Sequence, residues 1–127
     1  MIRFALPLMM LALPAQAFDA RTVQSEQVLN CTFKVLCVNE FECERGARME
    51  MKFRAYPDGS ADFRMEAGDD PMAMRNTVDD NGVLFLEGDQ GGMFQKLIVA
   101  PDGSAVTTAF APGSGLSTVQ IGICHRV

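Results

Sequence analysis

The clearest pattern in the chain runs from Ala47 to Ala67. Ala47, Met49, Met51, Phe53 and Ala55 alternate with Arg48, Glu50, Lys52, Arg54 and Tyr56. After an interruption, Ala61, Phe63, Met65 and Ala67 alternate with Asp62, Arg64 and Glu66. Period two predicts two half-buried strands. Directly opposed residues of an antiparallel pair share a face. Both runs place odd-numbered residues on the apolar face, so the loop between them must be odd in length. Pro57-Asp58-Gly59 fits, with proline presetting the first turn position and glycine taking the left-handed one. The predicted register sets Tyr56 opposite Ser60, Phe53 opposite Phe63, Met51 opposite Met65 and Arg54 opposite Asp62. The same five letters return at Pro101-Asp102-Gly103-Ser104-Ala105, 44 residues later. The match fades outside the hairpin, so two hairpins sharing one good turn is a better account than a duplicated half-domain.

Further strands follow from the same rule. Leu29, Cys31, Phe33 and Val35 form one face of a run from Val28 to Leu36. Asp79-Asp80-Asn81-Gly82 is a turn, and Val83-Leu84-Phe85-Leu86 after it reads as a short buried strand. Met93–Val99 and Val106–Phe110 flank the second Pro-Asp-Gly turn, and Val119, Ile121 and Ile123 form one face of a last strand. Gly88–Gly92, the stretch around Met72-Ala73-Met74 and Ala111–Gly115 read as loops, and Thr22–Gln27 as at most one helical turn. The expectation is an all-β domain, a small antiparallel β-barrel or β-sandwich of about seven or eight strands built from hairpins. Its core is expected to hold Phe33, Val35, Met51, Phe53, Phe63, Met65, Phe85, Leu97, Ile121 and Ile123.

The N-terminus adds an address. Arg3, the apolar run Phe4–Leu13 and the small-x-small triplet Ala15-Gln16-Ala17 read as a signal peptide over 1–17, cut before Phe18. The run is too short to span about 30 Å of hydrocarbon as a helix. A single domain over 18–127 remains, with no apolar membrane span, and the formal charge of −5 becomes −6 once Arg3 leaves. The signal fits export to a Gram-negative periplasm, or secretion. That setting is oxidising, so the four cysteines are expected to pair. Cys31 and Cys37 lie in or beside one extended strand, where six residues place them roughly 20 Å apart. A disulfide needs Cα atoms within about 7 Å, which disfavours joining these two. Two pairings remain: Cys31–Cys124 with Cys37–Cys43, which is the expected one, and Cys31–Cys43 with Cys37–Cys124. The parity of Cys124 conflicts with Val119, Ile121 and Ile123, unless Gly122 marks a bulge.

Candidate chemistry is sparse. A chain with 11 Lys+Arg against 16 Asp+Glu and no basic block is a poor nucleic-acid binder. One histidine, His125, and no nucleophile or phosphate-loop motif argue against an enzyme. No cofactor is expected. The cysteine spacing is not that of a zinc site. Met72 and Met74, with His125, are candidates for a soft-metal site, since thioethers select Cu(I). Glu40, Glu42 and Glu44 could form an acidic stripe, and Asp69 and Asp70 lie beside Met72 and Met74 in a second candidate surface. The general plan resembles the periplasmic inhibitors of c-type lysozyme: a signal, a small β-barrel and a cysteine near each end. Ser114-Gly115 precedes the last strand, but no tyrosine follows it, and Cys37 and Cys43 are extra to that plan, so no functional residue is carried over. The expected function is that of a non-enzymatic protein-interaction or inhibitor-type module. Its acidity favours a basic envelope or secreted partner. The alternative is a small-ligand or copper-binding protein. Oligomeric state is open.

Overall fold

The structure, a computed structural model, describes residues 21–39, 42–64 and 72–127. The expected signal peptide and its cleavage site lie outside the described residues, as do Glu40, Met65, Asp69 and Asp70. Eight strands follow in chain order: β1 (Gln27–Val38), β2 (Glu42–Ala55), β3 (Ser60–Arg64), β4 (Met72–Val78), β5 (Leu84–Gln90), β6 (Met93–Val99), β7 (Ser104–Ala111) and β8 (Leu116–Arg126). Each pairs antiparallel with the next, and β8 returns to β1, closing the sheet into a barrel. Closure leaves no free edge to aggregate. It settles the choice between barrel and sandwich that alternation alone leaves open. Thr22–Gln27 forms no helical turn; Arg21 instead makes a β-bridge to Val78.

The two Pro-Asp-Gly hairpins are built alike. Phe53 pairs with Phe63 and Arg54 with Asp62, as the parity argument requires, and the two phenyl rings lie 5.0 Å apart. Tyr56 N donates to Ser60 O at 2.9 Å, and Ala100 N to Ser104 O at 2.9 Å. Gly59 and Gly103 take φ of 91° and 93°, the left-handed region that glycine enters at no steric cost. Asp58 Oδ1 accepts from Ser60 N at 2.9 Å and from Ser60 Oγ at 2.6 Å. Asp102 Oδ1 accepts from Ser104 N at 2.9 Å. These bonds favour the charged carboxylate, and they hold both aspartates below their ordinary value of 3.8.

The barrel interior holds Leu29, Cys31 and Phe33 of β1, Met51 and Phe53 of β2, Leu84 and Leu86 of β5, and Leu97 and Val99 of β6. Val23, buried, joins this core next to the turn of the first Pro-Asp-Gly hairpin, where Thr22 Oγ1 donates to Pro57 O. Asn76 fixes it there: its Oδ1 accepts from Val23 N at 3.0 Å, and its Nδ2 donates to the carbonyls of Tyr56 and Ser60 at 2.9 and 2.7 Å. A buried amide is tolerated only when its bonds are made, and these three join β4, the first hairpin and the N-terminal segment.

Both disulfides form as expected: Cys31–Cys124 and Cys37–Cys43. Each joins directly paired residues, across β1/β8 and β1/β2 respectively. The parity conflict at Cys124 resolves against the aliphatic residues. Gln120 and Cys124 face inward, while Ile121 and Ile123 are 48% and 47% exposed. The expectation that both isoleucines are core residues is therefore overturned. The bulge lies in β1 rather than β8. Phe33 pairs with Gly122 and Val35 with Ile121, so Lys34 is an extra residue against β8. Past this point the face of β1 inverts, and Val35 follows Ile121 outward, half-buried. Phe85, also expected in the core, lies on the outer face between inward Leu84 and Leu86. Two expected loops are strands: Met72–Met74 opens β4, and Gly88–Gln90 closes β5.

Candidate functional site

Strand pairing sorts the outer surface into rows. Phe85 pairs with Ile98, Ile98 with Val106, Val106 with Ile121, and Ile121 with Val35. Directly paired residues share a face, so this is a continuous aliphatic and aromatic row across five strands, about half the barrel's circumference. The next row contains Lys96, Thr108, Val119 and Cys37, and beyond it Phe94 pairs with Phe110. Among the described residues, the exposed large apolar side chains are Met93, Phe94, Phe110, Leu116, Ile121 and Ile123, all on β6–β8, with Val127 at the chain end. β7 carries no charged residue, β6 only Lys96, β8 none before its terminal Arg126, and β1, at the margin of this wall, the exposed Lys34.

The opposite wall is its converse. The outward residues of β2 include Arg48, Glu50, Lys52 and Arg54, with Arg64 beyond them on β3. Arg48 pairs with Glu50 at 3.0 Å and Arg54 with Glu26 at 3.9 Å, both solvent-exposed. Such pairs contribute little to stability, and they keep this wall hydrated.

Where the two walls meet, over β4–β7, lies an open groove of about 550 Å³. Phe94 and Phe110 line one side; Arg75, Glu87 and Asp89 line the other, with Lys96 between them. Lys96 Nζ lies 3.2 Å from Glu87 Oε1 and 5.5 Å from the centre of the Phe85 ring. Its charge is thus neutralised locally, and its stem covers apolar surface.

The sequence candidates do not share one site. Met74 is 4% exposed inside the barrel, and Met72 is half-buried two residues earlier on the same face of β4. His125 is exposed near the end of β8, opposite Asn30 of β1, on the outer surface. Met72, Met74 and His125 therefore do not converge on one ligand position. Among the described residues, no group of three or more His, Cys, Asp or Glu could hold a metal ion. Glu42 and Glu44 are exposed on β2 beyond the bulge, on the face opposite the Cys37–Cys43 bridge. The apolar wall itself was not a sequence candidate. Its signal was present in the parity conflict of β8, because an inward Cys124 forces Ile121 and Ile123 outward.

The molecule is thus a closed, eight-stranded, disulfide-stapled antiparallel meander with an outer surface divided into an apolar and a charged wall. No family model, no curated protein and no solved structure matches this chain. The two disulfides indicate an oxidising, extracytoplasmic compartment.

Proposed function

We propose that the protein is a non-enzymatic, exported binding module of the periplasm that docks a protein partner on the outer wall of β5–β8 and β1. The observation that carries this is the unbroken row Phe85–Ile98–Val106–Ile121–Val35 on the outer face. The row is half-buried except at exposed Ile121, and exposed Ile123 and exposed Phe94 and Phe110 flank it on either side. A contiguous apolar patch of this kind marks an interaction surface. Depletion of charge around aromatic and aliphatic side chains is the composition of an interface core. The paired Glu87–Lys96 charges and Arg75 at its margin supply a polar rim.

This reading keeps the interaction class expected from the sequence and moves the contact surface. The acidic Glu42 and Glu44, expected to draw a basic partner, lie away from the aliphatic row. A carrier would need a converging ligand set, and Met72, Met74 and His125 do not form one. Site-specific photo-crosslinking in the exporting cell tests the proposal. A benzophenone side chain at position 121 or 110 is expected to give a discrete protein adduct, while one at position 54 on the charged wall gives none. Adducts from position 54 alone would overturn it.

A further inference from the structure

We infer that the occupant of the apolar wall is a second copy of this chain, packed wall to wall about a twofold axis passing near Ile121. This rests on the docking reading above and names its partner.

Charge is the first argument. The protein is acidic, so two copies repel unless they meet where charge is absent. The β6–β8 wall is that place: β7 is uncharged, and the Lys96 charge is balanced within the same molecule by Glu87. The exposed Lys34 of β1, with Arg48 and His125 beside Ile123, lies at one margin, so a foreign partner selected by charge would find charge only there and not at the centre of the wall. An uncharged, apolar patch is by contrast complementary to itself, as an isologous interface requires.

Area is the second argument. Four adjacent strands, β6–β7–β8–β1, span roughly 19 Å at ~4.8 Å spacing, and about eight residues along them cover roughly 26 Å. Measured around the barrel the footprint is about 500 Å², below the ~800 Å² per partner of a standard interface and in the range of a weak, reversible dimer. Ile121 sits near the middle of this field, flanked by Val106 and Val35, with Phe94 and Phe110 on one side and Ile123 on the other. Bulky anchors near the centre and polar groups at the rim are the arrangement in which a few residues carry most of the binding energy.

Sedimentation equilibrium of the purified exported protein from about 1 to 200 µM tests the inference. A reversible dimer is expected, with Ile121→Glu weakening it at least tenfold and Arg54→Glu, on the charged wall, leaving it unchanged. Because a glutamate could disturb folding, the double variant Ile121→Thr/Phe110→Thr provides a second reading: threonine keeps strand propensity and removes apolar contact. It is expected to shift the protein to monomer with an unaltered circular-dichroism spectrum. A wild-type protein that stays monomeric at 200 µM overturns the inference, as does a dimer insensitive to the wall substitutions. The docking reading is judged separately by crosslink mass. Adducts from position 121 at twice the chain mass accord with the second copy. Adducts at another mass keep the docking surface and overturn its assignment to a second copy. No adduct from position 121 or 110 removes both.

Discussion

At the scale of single residues, two aspartates and one asparagine show how polar side chains stabilise a barrel made of hairpins. Asp58 and Asp102 each accept the hydrogen bonds that close a Pro-Asp-Gly turn, and both are held below the usual carboxylate value. A depressed folded-state value means stability that is present above about the ordinary 3.8 and lost as pH falls through the lower folded value. The double variant Asp58→Asn/Asp102→Asn is therefore expected to melt below wild type at neutral pH, with the gap narrowing as pH drops below that point. Parallel thermal melts between pH 7 and pH 2.5 would show it; a gap constant with pH would refute the linkage. Asn76 acts differently, because it is buried and its three bonds join separate segments. Asn76→Ala leaves the Val23 amide without its acceptor and is expected to cost about 2–4 kcal/mol in urea denaturation.

At the scale of elements, β1 and β8 determine which faces the strands present. The extra residue Lys34 inverts the face of β1, and Gly122 sits opposite the irregularity. A Cβ at Gly122 would collide with the Thr32 carbonyl oxygen and lie 2.7 Å from Phe33 Cα, both backbone atoms that cannot rotate away. Gly122→Ala is therefore expected to destabilise by about 3 kcal/mol or more, beyond the usual cost of a single added methyl. Chemical denaturation reads this directly, and a loss under 1 kcal/mol would show that the two strands can part freely. Gly122 does not turn Cys124 inward as a bulge of β8. It admits the bend of β1, and Cys124 faces inward by ordinary alternation.

At the scale of the whole molecule, the two disulfides close loops of very different length. Cys31 and Cys124 lie 93 residues apart in sequence and join the first strand to the last. Cys37 and Cys43 lie 6 apart and close one hairpin end. Chain entropy assigns about 4–5 kcal/mol to the first and about 2 kcal/mol to the second. Cys31→Ser/Cys124→Ser is thus expected to lower the denaturation midpoint far more than Cys37→Ser/Cys43→Ser. Equal effects would mean that the long bridge acts chiefly on the folded state. The division of the outer surface also belongs to this scale. No single strand displays it, because it is a property of how five strands align.

Local rules were sufficient where clear alternation adjoins a clear turn, and failed at Gly88–Gln90, where glycine and polar residues read as a loop but close β5. The Pro57-Asp58-Gly59 hairpin, its register and the Phe53–Phe63 pair follow from parity and turn chemistry, which involve only neighbouring residues. Strand rise excluded a Cys31–Cys37 bridge and left two pairings, and the register of β1 with β2 and β8 decided between them. Closure, by contrast, depends on β1 meeting β8 across 93 residues, and no local pattern encodes that contact. The fate of Val119, Ile121 and Ile123 depended on it too. Alternation states that two faces differ; it does not state which one meets the interior. In β8 the inward face is chosen by the bridge to Cys31 and by the close approach of Gly122 to β1. Only the tertiary structure makes that choice, because it is a contest between burying aliphatic area and satisfying a covalent and steric constraint, and the constraint prevails.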